Sequence, residues 1–173
     1  MDDATEELVR LAGLTRPGWL DVEAVLKAQM PADYRELASR FGTGCFNGFM
    51  WLYLPGCPNE FLDLDRQGTE QIHWLRVSAQ QGEEVPPEAL VEPPSLRPWA
   101  GTDNGDTVWW LPGDEADESG QVMVSAARPL EWETFEMSCS RFLERYVGGD
   151  LPSDIMLSDM SSRGFTPWQA SME

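Results

Sequence analysis

The rarest side chains with types used for nucleophilic or metal chemistry are His73 and the cysteines Cys45, Cys57 and Cys139. A Cys–His or Ser–His hydrolase would have to use His73 as its base, because it is the only histidine. It stands in a helix-patterned stretch beside Trp74 with no nucleophile motif around it, the ordinary setting of a surface or boundary imidazole. The cysteines are odd in number and not closely paired, which suits neither a disulfide framework nor a zinc site. Asp103-Asn104-Gly105-Asp106 has the opening of a calcium loop, but Thr107-Val108-Trp109-Trp110-Leu111 follows where further oxygen ligands and a closing Glu are required. A hairpin turn is the simpler reading. No catalytic residue, metal or cofactor is expected, and an enzyme using a Cys or a carboxylate with His73 is the remote alternative.

Contact chemistry is better represented. Trp109 and Trp110 are neighbours on an expected strand and therefore point to opposite faces, either under covering helices or, for one of them, into an open groove. Asp114, Glu115, Asp117 and Glu118 form an acidic run suited to steering a basic partner. The whole chain has the same sign, with 12 Lys+Arg against 30 Asp+Glu for a formal net charge of −18. Such a charge repels nucleic-acid backbones and anionic lipid, so neither is expected as a partner. No apolar run approaches the ~20 residues that span a bilayer, and the acidic N-terminus lacks the basic, then apolar, pattern of a signal peptide. With unpaired cysteines, these features lead to the expectation of a cytoplasmic protein.

These residues must be positioned by a modest number of elements. The 173 residues suit one core, and 42% hydrophobic with 24% charged residues is an ordinary globular balance. Asp3 and Glu6 resemble a capping box for a first helix ending at Gly13. Trp19, Val22, Val25 and Leu26 outline a second helix from about Gly18, and Tyr34, Leu37, Ala38 and Phe41 a third, opened by Pro31 and stopped by Gly42. The aromatic run Cys45–Leu54 reads as one strand covered on both faces, a buried helix being the other reading its periodicity allows. Residues 59–81 read as a mid-chain helix with Phe61, Leu64, Ile72 and Leu75 on one side, and the prolines of 86–98 as an extended connector. The pattern becomes β from Arg97, with further strands at 107–111, 121–125 and 132–136, and Asn104-Gly105 is expected to form the hairpin turn before the return strand with both residues at positive φ. Ser138 caps a last helix that Gly148-Gly149 stops. The expectation is a single α+β domain, residues 1–149. Its mixed, largely antiparallel sheet packs with N-terminal helices, one mid-chain helix and a C-terminal helix, and a tail, 150–173, is held through Phe165 and Trp168.

Three blocks give the sequence a resemblance to the SUKH superfamily of fungal cell-wall-regulator-like and bacterial toxin-immunity domains. They are Met30-Pro31-Ala32-Asp33-Tyr34-Arg35-Glu36-Leu37 with Phe41-Gly42 and the aromatic run from Phe46 to Leu54; Pro98-Trp99-Ala100-Gly101-Thr102-Asp103-Asn104-Gly105-Asp106 with Trp110; and Trp132-Glu133-Thr134-Phe135 before Phe142-Leu143. Met30 stands where relatives usually have Leu, and no Gly precedes it. The resemblance implies an α+β domain with a partner-binding surface and no common catalytic residues. Matching the second block puts Val108 and Trp110 on the core face and leaves Trp109 on the other. On that reading Trp109, Asp103, Asp106, Asp114, Glu115, Asp117 and Glu118 are the partner-binding candidates. The expected function is a monomeric immunity protein neutralising a basic toxin domain, such as a nuclease. A regulatory or scaffolding module related to the cell-wall regulators is the alternative.

Overall fold

Short apolar stretches punctuated by Gly, Pro and Asn dominate the chain after Phe41, and in the computed structural model they assemble into one sheet. The structure describes residues 3–12, 23–24, 29–113, 120–156 and 163–168. Among these are five helices, α1 (Asp3–Ala12), α2 (Ala32–Phe41), α3 (Leu64–Gln80), α4 (Pro87–Leu90) and α5 (Cys139–Gly148). The strands are β1 (Gly44–Phe46), β2 (Met50–Leu52), β3 (Arg97–Thr102), β4 (Thr107–Leu111), β5 (Gln121–Ser125), β6 (Trp132–Phe135) and β7 (Phe165–Pro167). They form an open sheet of seven strands in the order β6-β5-β4-β3-β2-β1-β7. Every strand pair is antiparallel, so the sheet expected to be largely antiparallel is antiparallel throughout: consecutive strands β1–β6 follow one another by turns or by helical excursions that return beside the last strand.

Strand alternation divides the core between the two faces. Phe46, Met50, Leu52, Ala100, Val108, Val122, Val124 and Phe135 face α1, α2 and α5, where Leu8, Tyr34, Leu37, Phe41, Phe142, Leu143 and Tyr146 complete the larger cluster. On the opposite face Trp109 and Met123 pack beneath α3 and α4 with Ile72, Leu75, Ala89 and Leu96. Asp33 joins two helices of the first layer, its carboxylate accepting the Ser140 N–H at 2.8 Å at the start of α5. Ser138 caps α5 through the Arg141 N–H, and Gly149 ends it in the left-handed conformation. α2 begins one residue after Pro31, which takes the N-cap position, and Gly42 ends it at φ 66°, ψ −163°, outside the left-handed helical region.

Several elements differ from expectation. The run Cys45–Leu54 is not one strand: Asn47 and Gly48 stand at φ 53° and 66°, and the Phe49 N–H closes the turn onto the Phe46 carbonyl at 3.1 Å. Conversely, at Asn104-Gly105 only the glycine has positive φ, at 88°, with its N–H on the Thr102 carbonyl. α3 starts at Leu64, because Asp63 accepts the Arg66 N–H as its N-cap; Phe61 precedes the helix rather than lying on its apolar side. The connector at 86–98 contains α4. The helix expected from Gly18 falls outside the described residues except for Glu23 and Ala24, which are helical. No helix among the described residues is long and apolar enough to cross a membrane.

Candidate functional site: an aromatic hollow beside β2

Residues 54–64 form a closed loop held by its own backbone. The Leu54 N–H donates to the Leu62 carbonyl at 2.9 Å and the Leu64 N–H returns to the Leu54 carbonyl at 3.0 Å. Within it Asn59 builds a tight turn, its Oδ1 accepting the Phe61 N–H at 3.1 Å while its carbonyl accepts the Leu62 N–H at 2.9 Å. Leu62 is thereby turned inward and Phe61 outward, leaving Phe61 68% exposed. Covering a phenylalanine side chain is worth roughly 1.5–3 kcal/mol, so this fixed turn holds a substantial apolar contact open to solvent.

Trp51 lies next to it for a simple reason of alternation. Met50 and Leu52 point to the helical layer, so Trp51 must project from the other face, in register with Gly101 of β3. Its indole N–H donates to Asp103 Oδ1 at 2.8 Å, which fixes the ring. Tyr53 lies along β3 at Gly101, where a Cβ would stand 2.0 Å from the Tyr53 hydroxyl oxygen; glycine is what leaves the ring its place. Trp168 arrives from β7, tied by its backbone N–H to the Thr43 carbonyl at 3.0 Å. Together Trp51, Tyr53, Phe61, Leu62 and Trp168, with Asp103 and Asn59 at the polar edge, line a shallow hollow of about 420 Å³.

The thiols near this sheet are poor nucleophiles. Burial, with a smaller contribution from the Asp103 carboxylate, pushes Cys45 up to about 12. Burial also raises Cys57, and raises Cys139 far above the ordinary thiol range. All three are free and buried. His73 lies on the exposed side of α3 in a separate hollow of about 470 Å³ with Asp65, Arg76, Glu92 and Arg97, and no cysteine lines it. Among the described residues no group of three or more His, Cys, Asp or Glu is placed to hold a metal ion.

The sequence-level candidates separate on the structure. Trp109 does project from the face opposite Val108, but it is fully buried under α3 and α4 and donates its indole N–H to Ser125 Oγ at 2.9 Å. It is a packing residue, which corrects the reading as an open contact residue. Asp106 is also buried. Its two carboxylate oxygens accept from Thr102 Oγ1 at 2.9 Å and the Ala127 N–H at 3.0 Å, so it ties the 103–106 turn to the end of β5 rather than facing a partner. Asp103 alone of these is exposed and at the hollow. Asp114, Glu115, Asp117 and Glu118 lie outside the described residues. The aromatic members Trp51, Phe61 and Trp168 were not singled out by sequence as contacts. Asn59 two residues ahead of Phe61, and the single Trp between inward-facing Met50 and Leu52, are the signals that mark two of them. In comparison with known proteins, the chain matches no family model, no curated protein and no solved structure.

Proposed function

We propose that this chain is a non-catalytic, cytoplasmic binding protein, an immunity protein that neutralises a basic toxin domain by direct contact through the hollow lined by Trp51, Phe61 and Trp168. The observation that carries the reading is Phe61, held 68% exposed by a closed loop and set beside a hydrogen-bonded Trp51 on a chain of net charge −18. Rigid aromatic anchors lose little conformational freedom on binding and often dominate interface energetics. The net negative charge of the chain, with Asp103 at the hollow itself, favours a basic partner and speeds its encounter. The SUKH-like order of motifs around Tyr34, Trp99 and Trp132 supports the immunity class, and a basic nuclease is the toxin type that the charge suits best.

The test is co-expression of the full chain with the C-terminal domain of the protein encoded beside its gene. Growth rescue and a co-purifying complex are expected, and Phe61→Asp should lose both while keeping the parental melting temperature. Absence of a complex, or full rescue by Phe61→Asp, would overturn the reading.

A further inference from the structure

The two edges of the sheet are finished differently. At β7 the Asn47 N–H bonds to the Gly164 carbonyl and the Trp168 N–H to the Thr43 carbonyl, so Thr166 faces β1 in the ladder and Pro167 turns outward. Proline has no N–H to offer, which blunts that edge. β6 has no such block. The Ala126 N–H bonds to the Glu131 carbonyl at 2.9 Å, which sets the phase of the β5–β6 ladder. By alternation Glu133 and Phe135 bond inward to β5, leaving the backbone N–H and C=O of Trp132 and Thr134 directed out of the sheet. Among the described residues no hydrogen bond is made by these outward groups.

The edge is also shaped as a slot. On one side the Trp132 indole donates to the Glu84 carbonyl at 3.1 Å and brings Glu84–Pro87 alongside. On the other, Glu133 accepts the Asp154 N–H at 2.7 Å and the Ser153 hydroxyl, drawing residues 153–155 to the opposite wall. Between them lies a hollow of about 680 Å³ whose apolar lining is Val85, Pro86, Pro87, Leu130, Trp132 and Ile155. Its charged lining residues are Glu84, Glu131, Glu133 and Asp154, with no Lys or Arg among them.

We infer that the β6 edge takes an extended basic segment of a protein partner, which adds to the sheet as an eighth strand. Outward groups of Trp132 and Thr134 supply main-chain pairing. The apolar lining receives alternate side chains, and the four carboxylates receive lysine or arginine from the segment. A second copy of this chain is the wrong occupant, because it would bring the same carboxylates and a net charge of −18 to the slot. This inference shares the basic partner with the proposed function but uses the opposite end of the sheet from the aromatic hollow.

The probe is a capped peptide of alternating Lys and Val, titrated into the full chain while backbone amide exchange is followed by NMR. Binding should slow exchange at the Trp132 and Thr134 amides. A peptide with its central amide nitrogens methylated keeps the charge and loses strand pairing, so its affinity should fall roughly tenfold or more. Thr134→Pro should weaken the parent peptide similarly. If that variant does not fold, the methylated peptide decides alone. Equal affinity of the two peptides, protection confined to the Trp51–Phe61 region, or no binding would overturn the inference. Phe61→Asp should leave this binding intact, so failure of the edge and failure of the aromatic hollow are read from different results.

Discussion

Replacing Trp109 with alanine removes the largest side chain of the smaller core cluster, and the structure fixes what that should cost. The indole is 0% exposed, its centroid lies 6.1 Å from that of Trp132, and its N–H is bonded to Ser125 Oγ. Truncation of a buried Trp costs about 3–5 kcal/mol, and here it also leaves the buried Ser125 hydroxyl without its partner. Against a domain stability of about 5–15 kcal/mol this is a large fraction. Trp109→Phe retains most of the packing and should cost only about 1–2 kcal/mol. Urea unfolding followed by circular dichroism measures both, and with slopes of about 1–3 kcal/mol per molar the Trp109→Ala midpoint should drop by roughly 2 M. A loss below about 1 kcal/mol with unchanged slope, together with faster release of a bound partner, would mean that Trp109 faces solvent and that the packing beneath α3 is wrong.

Gly105→Val should lower stability by about 1–3 kcal/mol, since a β-branched residue is forced to φ 88° and its Cβ would meet that of Ala127 at 3.3 Å; an unchanged melting curve would refute the turn. The buried thiols should resist a disulfide-exchange reagent in the folded chain at pH 8 and react on unfolding. Folding raises Cys45 from 9.0 to about 12, so its contribution to stability is complete below 9.0 and is lost as pH rises toward 12, because the unfolded chain ionises first. Equilibrium unfolding across that range should show stability falling with pH, and Cys45→Ala should reduce the slope.

Legibility in the sequence followed the locality of each signal. β4, β5 and α5 were readable because alternating or helical apolar patterns are bounded by their own turns and caps, such as Ser138 and Gly149. The β1–β2 hairpin is hidden because Asn47-Gly48 sits inside an almost unbroken apolar run, whereas the same dipeptide at Asn104-Gly105 stands between polar residues. Phe61 reads as helical because its spacing to Leu64 fits a helix; the contrary signal is the Asp63 N-cap between them. β7 is three residues long and exists through pairing with β1, so nothing local announces it. For the site, residue types were legible before their exposure was. Trp109 and Trp51 have similar strand contexts, and only the placement of α3 and α4 decides that the first is covered.

The central claim is that an exposed aromatic anchor, not general acidity, holds the partner. Association and dissociation rates against the proposed toxin partner, measured for the parent and Phe61→Ala at low and high salt, test it most directly. The parent should associate more slowly as salt rises, and Phe61→Ala should share that association behaviour while dissociating roughly thirtyfold faster, the equivalent of about 2 kcal/mol. Identical dissociation rates for the two proteins would contradict it.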